Sequence, residues 1–228
     1  MKGIENDNVV NFCDSEVSDD SYDGEEEDVC GLCARMWYRI RMIPNREQAV
    51  ELFRKHNDSE SLYRHAVAVE SVMRYFAGYY DEDEEKWGII GFIHDLDYGK
   101  WPDEHCKKTA ELLEAEDWPE DWIRAVVSHG WGICTDVEPV HTMEKVLFTI
   151  DELTGLISAT ALMRPSKSLM DLEAKSVKKK WKDKRFSAGV DRDLIDKGAA
   201  MLGLERTELI THTIAGMRTA AEELGLNG

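Results

Sequence analysis

VLFTIDELTGLISATALM, residues 146–163, belongs to the most hydrophobic helix that the sequence predicts, and it sets Asp151 between Ile150 and Leu153. The helix runs from about Thr142 to Met163 and is the best candidate for the centre of a core. A carboxylate in such surroundings is costly to bury unless it meets a cation or strong donors. Glu152 and Thr154 give the helix a polar side, so a surface position for Asp151 also fits the local sequence.

Outward from that helix, the periodicity stays helical. From Ser59, a good N-cap, Leu62, Ala66, Val69, Met73 and Phe76 recur at steps of three and four, which predicts an amphipathic helix over roughly 59–79. Asn45 caps a shorter helix through Ala49, Leu52 and Phe53 to near His56. The acidic turn DEDEE at 81–85 puts negative charge at a helix start, and Ile89, Ile90, Phe92 and Ile93 carry that helix to His94 and Asp95. DYGKWP, with Gly99 and Pro102, is a loop, and the next helix carries Ala110, Leu112 and Leu113. Pro119 suits the first turn of a helix ending near His129 and Gly130. Asp191 with Gly203, and Thr207 with Gly225, mark the starts and stops of the last two helices. There is no strand-like alternation of useful length and no internal repeat, so the expected fold class is all-α, a compact multi-helix bundle.

The 228 residues, 43% hydrophobic, suffice for one substantial domain plus a tail. Residues 1–29 hold eleven acids against the single base Lys2, the pattern of a disordered, solvating tail, which leaves 30–228 as the helical domain. A net charge of −18 disfavours nucleic acid as a partner, because phosphate backbones are bound by clustered Lys and Arg. No stretch approaches the roughly 18 apolar residues of a membrane span. The start, MKGIENDNVV, lacks the apolar segment of a signal peptide, so a cytoplasmic protein with no membrane partner is expected. Five cysteines (Cys13, Cys30, Cys33, Cys106, Cys134), odd in number and irregular in spacing, fit a reducing compartment better than a disulfide framework. Cys30 and Cys33 form one CxxC without a second ligand pair or a βαβ context, and read as ordinary thiols near a helix start. The oligomeric state stays open, a homo-oligomer included.

His65 lies three residues after Leu62 and four before Val69, on the apolar side of its helix, where a core histidine and a ligand both fit. His94 and Asp95 place a nitrogen and an oxygen donor side by side at a helix end, an arrangement suited to a hard-to-borderline divalent ion. A helix C-cap with His favoured by the dipole is the other reading of that pair. With Asp151, the order is His, then His-Asp, then Asp, on three different helices.

This order resembles the HD superfamily of metal-dependent phosphohydrolases. The resemblance covers approximately residues 45–163, the metal-binding core, and leaves 164–228 as a C-terminal helical extension. SLYRH at 61–65 fits the family's first histidine helix, and HDLDYGK at 94–100 is similar to its HD-x-GK-like loop, two residues longer before the Lys. HCKKTAELL at 105–113 resembles the H-x-x-x-[G/T]-A-x-x-L segment of dinuclear members, and VVSHGW at 126–131 resembles the helix end that supplies their fourth histidine. The resemblance implies an HD-domain bundle holding one or two divalent ions, with Mn, Fe, Mg, Co, Ni and Zn all eligible. It implies six ligands, His65, His94, Asp95, His105, His129 and Asp151, with Asp95 bridging two ions. His105 and His129 also fit as solvent-facing loop residues. His56, His141 and His212 match no family motif and read as surface or capping residues.

The activity so implied is hydrolysis of a phosphate ester, a small nucleotide or a related phosphomonoester or diester, by a metal-bound hydroxide. The expected partner is therefore a small anionic phosphorylated substrate. Lys100 is placed to touch a phosphate, and Asp97 to orient the nucleophilic water or hold a ligand histidine, though both also fit as solvated loop charges. The stretch from Arg164 to Arg185 opposes the acidic trend, with nine bases against three acids. Arg164 and Lys167 begin it a few helical turns beyond Asp151, and reach an anionic substrate only if the chain folds back; otherwise the stretch is a solvated helix face. SVKKKWKDKRFSAGV at 176–190 resembles a signature of one HD subgroup, in which Trp181 and Phe186 dock the helix or stack on a base. Two other functions remain open: some six-ligand HD relatives use a di-iron centre to activate oxygen, and an HD fold can serve as a metal-stabilised binding module without catalysis.

Overall fold

The structure, a computed structural model, describes residues 43–183 and 185–228. The acidic segment 1–29 and the Cys30/Cys33 pair lie outside the described residues. The described chain forms nine α-helices and no β-strand: α1 (Arg46–His56), α2 (Glu60–Tyr79), α3 (Glu84–Ile93), α4 (Lys107–Ala115), α5 (Glu120–Ser128), α6 (Thr142–Leu162), α7 (Ala174–Trp181), α8 (Arg192–Leu202) and α9 (Arg206–Arg218).

Side chains just outside the helices fix where they begin, by accepting backbone N–H groups that have no partner within the helix. Asn45 accepts from Gln48 N while the Gln48 side chain accepts from Asn45 N, a reciprocal box that starts α1. Ser59, Asp83 and Asp191 cap α2, α3 and α8 in the same manner. His141 caps α6, accepting from Met143 N, while Glu144 accepts from His141 N and Val140 N. The reading of His141 as a capping residue therefore holds.

Helices α2 and α6 cross at the centre. α2 packs chiefly on α3 and α9, and α6 chiefly on α8, with α5, α7 and α9 against it as well. Phe76, Phe92, Leu147 and Ile150 are fully buried between them, each contributing about 1.5–3 kcal/mol by removal from water. Two glycines allow the close crossings. A Cβ on Gly91 of α3 would lie 2.7 Å from Met73 Cγ, and one on Gly216 of α9 would lie 2.8 Å from Val72 Cα.

The C-terminus departs from expectation. Thr207 lies inside α9 rather than capping it, and the helix stops at Arg218 instead of running toward Gly225. The reason is a docking site for the returning chain. Arg218 donates to the carbonyls of Leu169 and Leu172 at 3.0 and 2.8 Å, and Leu169 N donates to Leu226 O at 2.7 Å. Turns over 219–225 then bury Ala221, Leu224 and Leu226. In the basic stretch, Trp181 and Phe186 are partly buried against the core, with Arg206 over the Trp181 ring at 4.6 Å. Docking is thus what the structure gives both aromatics.

Candidate metal centre

Six donor side chains from five parts of the chain meet at one point. α2 supplies His65, the end of α3 supplies His94 and Asp95, and the turn before α4 supplies His105. The end of α5 supplies His129, and the middle of α6 supplies Asp151. Helix ends bring three of them together cheaply, because a chain leaving a helix can turn its side chain inward without breaking backbone hydrogen bonds.

Two overlapping groups share Asp95. In the first, Asp95 Oδ2 lies 3.6 Å from His65 Nε2 and Asp95 Oδ1 3.5 Å from His94 Nε2. Asp151 Oδ1 closes that group, 2.9 Å from His65 Nε2 and 3.4 Å from His94 Nε2. In the second, Asp95 Oδ1 lies 3.6 Å from His105 Nε2 and 3.7 Å from His129 Nε2, and the two Nε2 atoms are 3.0 Å apart. Donors held about 2.1 Å from a common ion stand roughly 3.0–3.4 Å from one another; the spacings here, 2.9–3.7 Å, lie within a few tenths of an ångström of that range.

The orientation of the rings supports the same conclusion. His94 Nδ1 donates to Gly91 O at 2.8 Å, His129 Nδ1 donates to Val126 O, and His105 Nδ1 donates to Asp97 Oδ1 at 2.7 Å. Each Nδ1 thereby carries a proton, and each Nε2 faces the cluster, the orientation of histidines that ligate metals. His94 Nε2 is fully buried and has no hydrogen-bond partner. A buried polar atom so placed is costly unless a cation occupies the space beside it.

Electrostatics follow from the crowding of two carboxylates and four imidazoles. Burial disfavours charge on His94, but Asp95 and Asp151 outweigh it and raise its pKa to about 9. Burial, and then the charge on His94, push His129 down to about 4. Asp151 is held well below the usual carboxylate range, against burial, by its contacts with His65 and His94. A proton on His94 thus does part of what a divalent ion would do for both carboxylates.

The centre opens into a cavity of about 690 Å³ lined also by Ser61, Tyr98, Ile133, Cys134 and Glu152. Burial, and then the neighbouring Asp151, raise the Glu152 carboxyl to about 7. From the sequence, Glu152 reads only as the polar side of α6; its adjacency to Asp151 is the available signal. Asp97 is buried and holds His105, one of the two roles expected of it. Lys100 points away, with Nζ donating to Lys55 O at 3.1 Å, and does not line the cavity. Arg164 and Lys167 do not line it either. Arg164 is bound to Asp171 at 2.6 Å, and it follows the end of α6, whose stretch from Asp151 to Leu162 rises roughly 16 Å. His56 and His212 also lie apart, beside Trp101 and among Tyr75, Phe76 and Tyr79 respectively.

No helix among the described residues is long and apolar enough to cross a membrane. Neither the comparison with curated proteins nor that with solved structures finds a match to the chain. The family model for the HD domain matches residues 62–179, over half of the chain and a span that includes all six donors, and the chain belongs to the HD domain family.

Proposed function

We propose that the chain is a metal-dependent hydrolase of a phosphate ester, a small nucleotide or a related phosphomonoester or diester, acting in the cytoplasm. The observation that carries this reading is the convergence of His65, His94, Asp95, His105, His129 and Asp151, with His94 Nε2 buried and unpartnered among them. His65, His94, Asp95 and Asp151 would hold one divalent ion, and Asp95, His105 and His129 a second. When bound, such ions lower the pKa of water from 15.7 toward about 7 and withdraw charge from phosphoryl oxygens.

The chain's own contribution is placement. Gly91 O, Val126 O and Asp97 fix the tautomers of three histidines, so the donors need no reorganisation on loading. The hydroxyls of Ser61 and Tyr98 in the cavity wall offer hydrogen bonds to a phosphate or to the group it departs from. Lys100, Arg164 and Lys167 stand away from the wall, so in this reading the charge of the substrate is met at the metal centre.

Elemental analysis of protein purified without added metal, followed by anaerobic turnover of a phosphomonoester and phosphodiester panel with Mn²⁺ or Mg²⁺, tests the reading. One or two ions per chain and oxygen-independent release of phosphate or alcohol are expected, with Asp95→Ala reducing both to background. Bound iron with turnover only in oxygen would replace hydrolysis by the oxygenase reading. Activity untouched by Asp95→Ala would overturn both.

A further inference from the structure

We propose that Cys106 and Cys134 are a redox modification site that forms a reversible disulfide at the edge of the cavity. Their sulfurs lie 3.0 Å apart although the residues are 28 positions apart in sequence, within about 1 Å of the 2.03–2.05 Å of a disulfide. Room for the pair is made by Gly130, where a Cβ would overlap both sulfurs. Cys106 holds φ 67° and ψ −46°, a conformation that L residues rarely adopt, and so aims its side chain at Cys134 from the start of α4.

The two thiols differ in access. Cys134 is exposed and lines the cavity, whereas Cys106 is 1% exposed. An oxidant in solution meets Cys134 first, and Cys106 is already in place as the resolving thiol. With hydrogen peroxide, the Cys134 sulfur takes one oxygen to become a sulfenic acid as one water leaves. The Cys106 sulfur then displaces the hydroxyl, its own proton leaving with it as a second water. Two thiol hydrogens and two electrons have passed to the peroxide, and one S–S bond has formed.

His105 stands beside the pair as a third donor atom for a thiolate metal site, but its nitrogens are engaged. Nδ1 donates to Asp97, and Nε2 faces Asp95 and His129. Two sulfurs alone are too few for a structural zinc, which takes four ligands. In a reducing compartment a disulfide of this kind is transient and sensing rather than structural. It would tie the residue after His105 to the connection beyond His129, the two donors whose Nε2 atoms face each other. The inference does not depend on which ion the six donors hold.

The test uses the full chain with Cys13→Ser, Cys30→Ser and Cys33→Ser, so that only this pair can react. After hydrogen peroxide, quenching and alkylation in denaturant, the expected product has lost about 2 Da and takes up no alkyl group, and dithiothreitol restores both alkylation sites. Adding Cys134→Ser, at an exposed position that tolerates serine, is expected to abolish the loss and leave Cys106 alkylatable only after unfolding. A stable sulfinic acid on Cys134 with Cys106 still alkylatable, or a 2 Da loss that survives Cys134→Ser, would overturn the proposal.

Discussion

Asp97 accepts the Nδ1 proton of His105 with one oxygen at 2.7 Å and the backbone N–H of Thr109 with the other at 2.9 Å. Against its burial, these two donors hold the Asp97 carboxyl below its usual range. The carboxylate thus joins the turn carrying His105 to the first turn of α4 and fixes which ring nitrogen is free.

Asp97→Asn keeps the size but gives His105 an amide in place of a charged acceptor. Partners of this kind typically contribute 10–100-fold to metal affinity. Calorimetric titration with Mn²⁺ is expected to show about that loss at the group of Asp95, His105 and His129, with a smaller change at the other. Equal affinities in both proteins would reduce Asp97 to a helix-start contact.

The chelated protein should be most stable near pH 6–7. His94 has its pKa raised from 6.5 to about 9, so its contribution is complete below 6.5 and is lost as pH rises through 9. His129 has its pKa lowered from 6.5 to about 4, so its contribution is complete above 6.5 and is lost as pH falls toward 4. Each flank is on the order of 3 kcal/mol. Mn²⁺ takes over from the proton on His94, so the alkaline loss should vanish while the acid loss steepens, because ligands must stay deprotonated. Thermal melts from pH 4 to 10, with chelator and with Mn²⁺, check both limbs; an alkaline limb identical in the two series would count against a cation at His94.

Much of the fold was legible because helix starts are local chemistry: Asn45, Ser59 and Asp191 each cap the helix that follows them. His94 and Asp95 were legible for a related reason, as a donor pair at a predicted helix end, whereas His105 and His129 enter as donors only through the resemblance to the HD family. What escaped the sequence depends on contacts between distant segments. Asp97 reads equally as the holder of a ligand histidine and as a solvated loop charge, until Thr109, twelve residues on, folds back onto it. The Cys106 and Cys134 contact requires the turn at Gly130. The early end of α9 requires the carbonyls of Leu169 and Leu172, which no pattern within α9 announces.

Gly216→Ala tests whether the C-terminal helices belong to the core. Alanine favours a helix interior by about 1 kcal/mol over glycine, so an exposed site would gain stability. Here the new methyl would meet Val72 Cα at 2.8 Å and Tyr75 Cβ at 3.1 Å, and backbone cannot swing aside as a flexible side chain can. α9 must move off α2, and the expected net loss is about 1–3 kcal/mol. Urea denaturation with an unchanged slope and a lower midpoint is the signature; a higher midpoint would mean that the contact relaxes freely.

Arg164→Ala separates structure from substrate binding at the start of the basic stretch. Its guanidinium contacts Asp171 at 2.6 Å and Ser176 at 3.4 Å, which ties the turn after α6 to the first turn of α7. The ion pair is partly exposed, and pairs of that kind are worth about 0–1 kcal/mol, so the loss of stability should fall in that range. Since Arg164 lies past the end of α6, which falls about half the length of that helix beyond Asp151, and does not line the cavity, KM for any phosphoester that the protein hydrolyses should stay within about twofold. A tenfold rise in KM with unchanged kcat would mean that the chain beyond α6 folds back over the cavity when substrate binds, and that the anion is read by the basic stretch as well as by the metal centre.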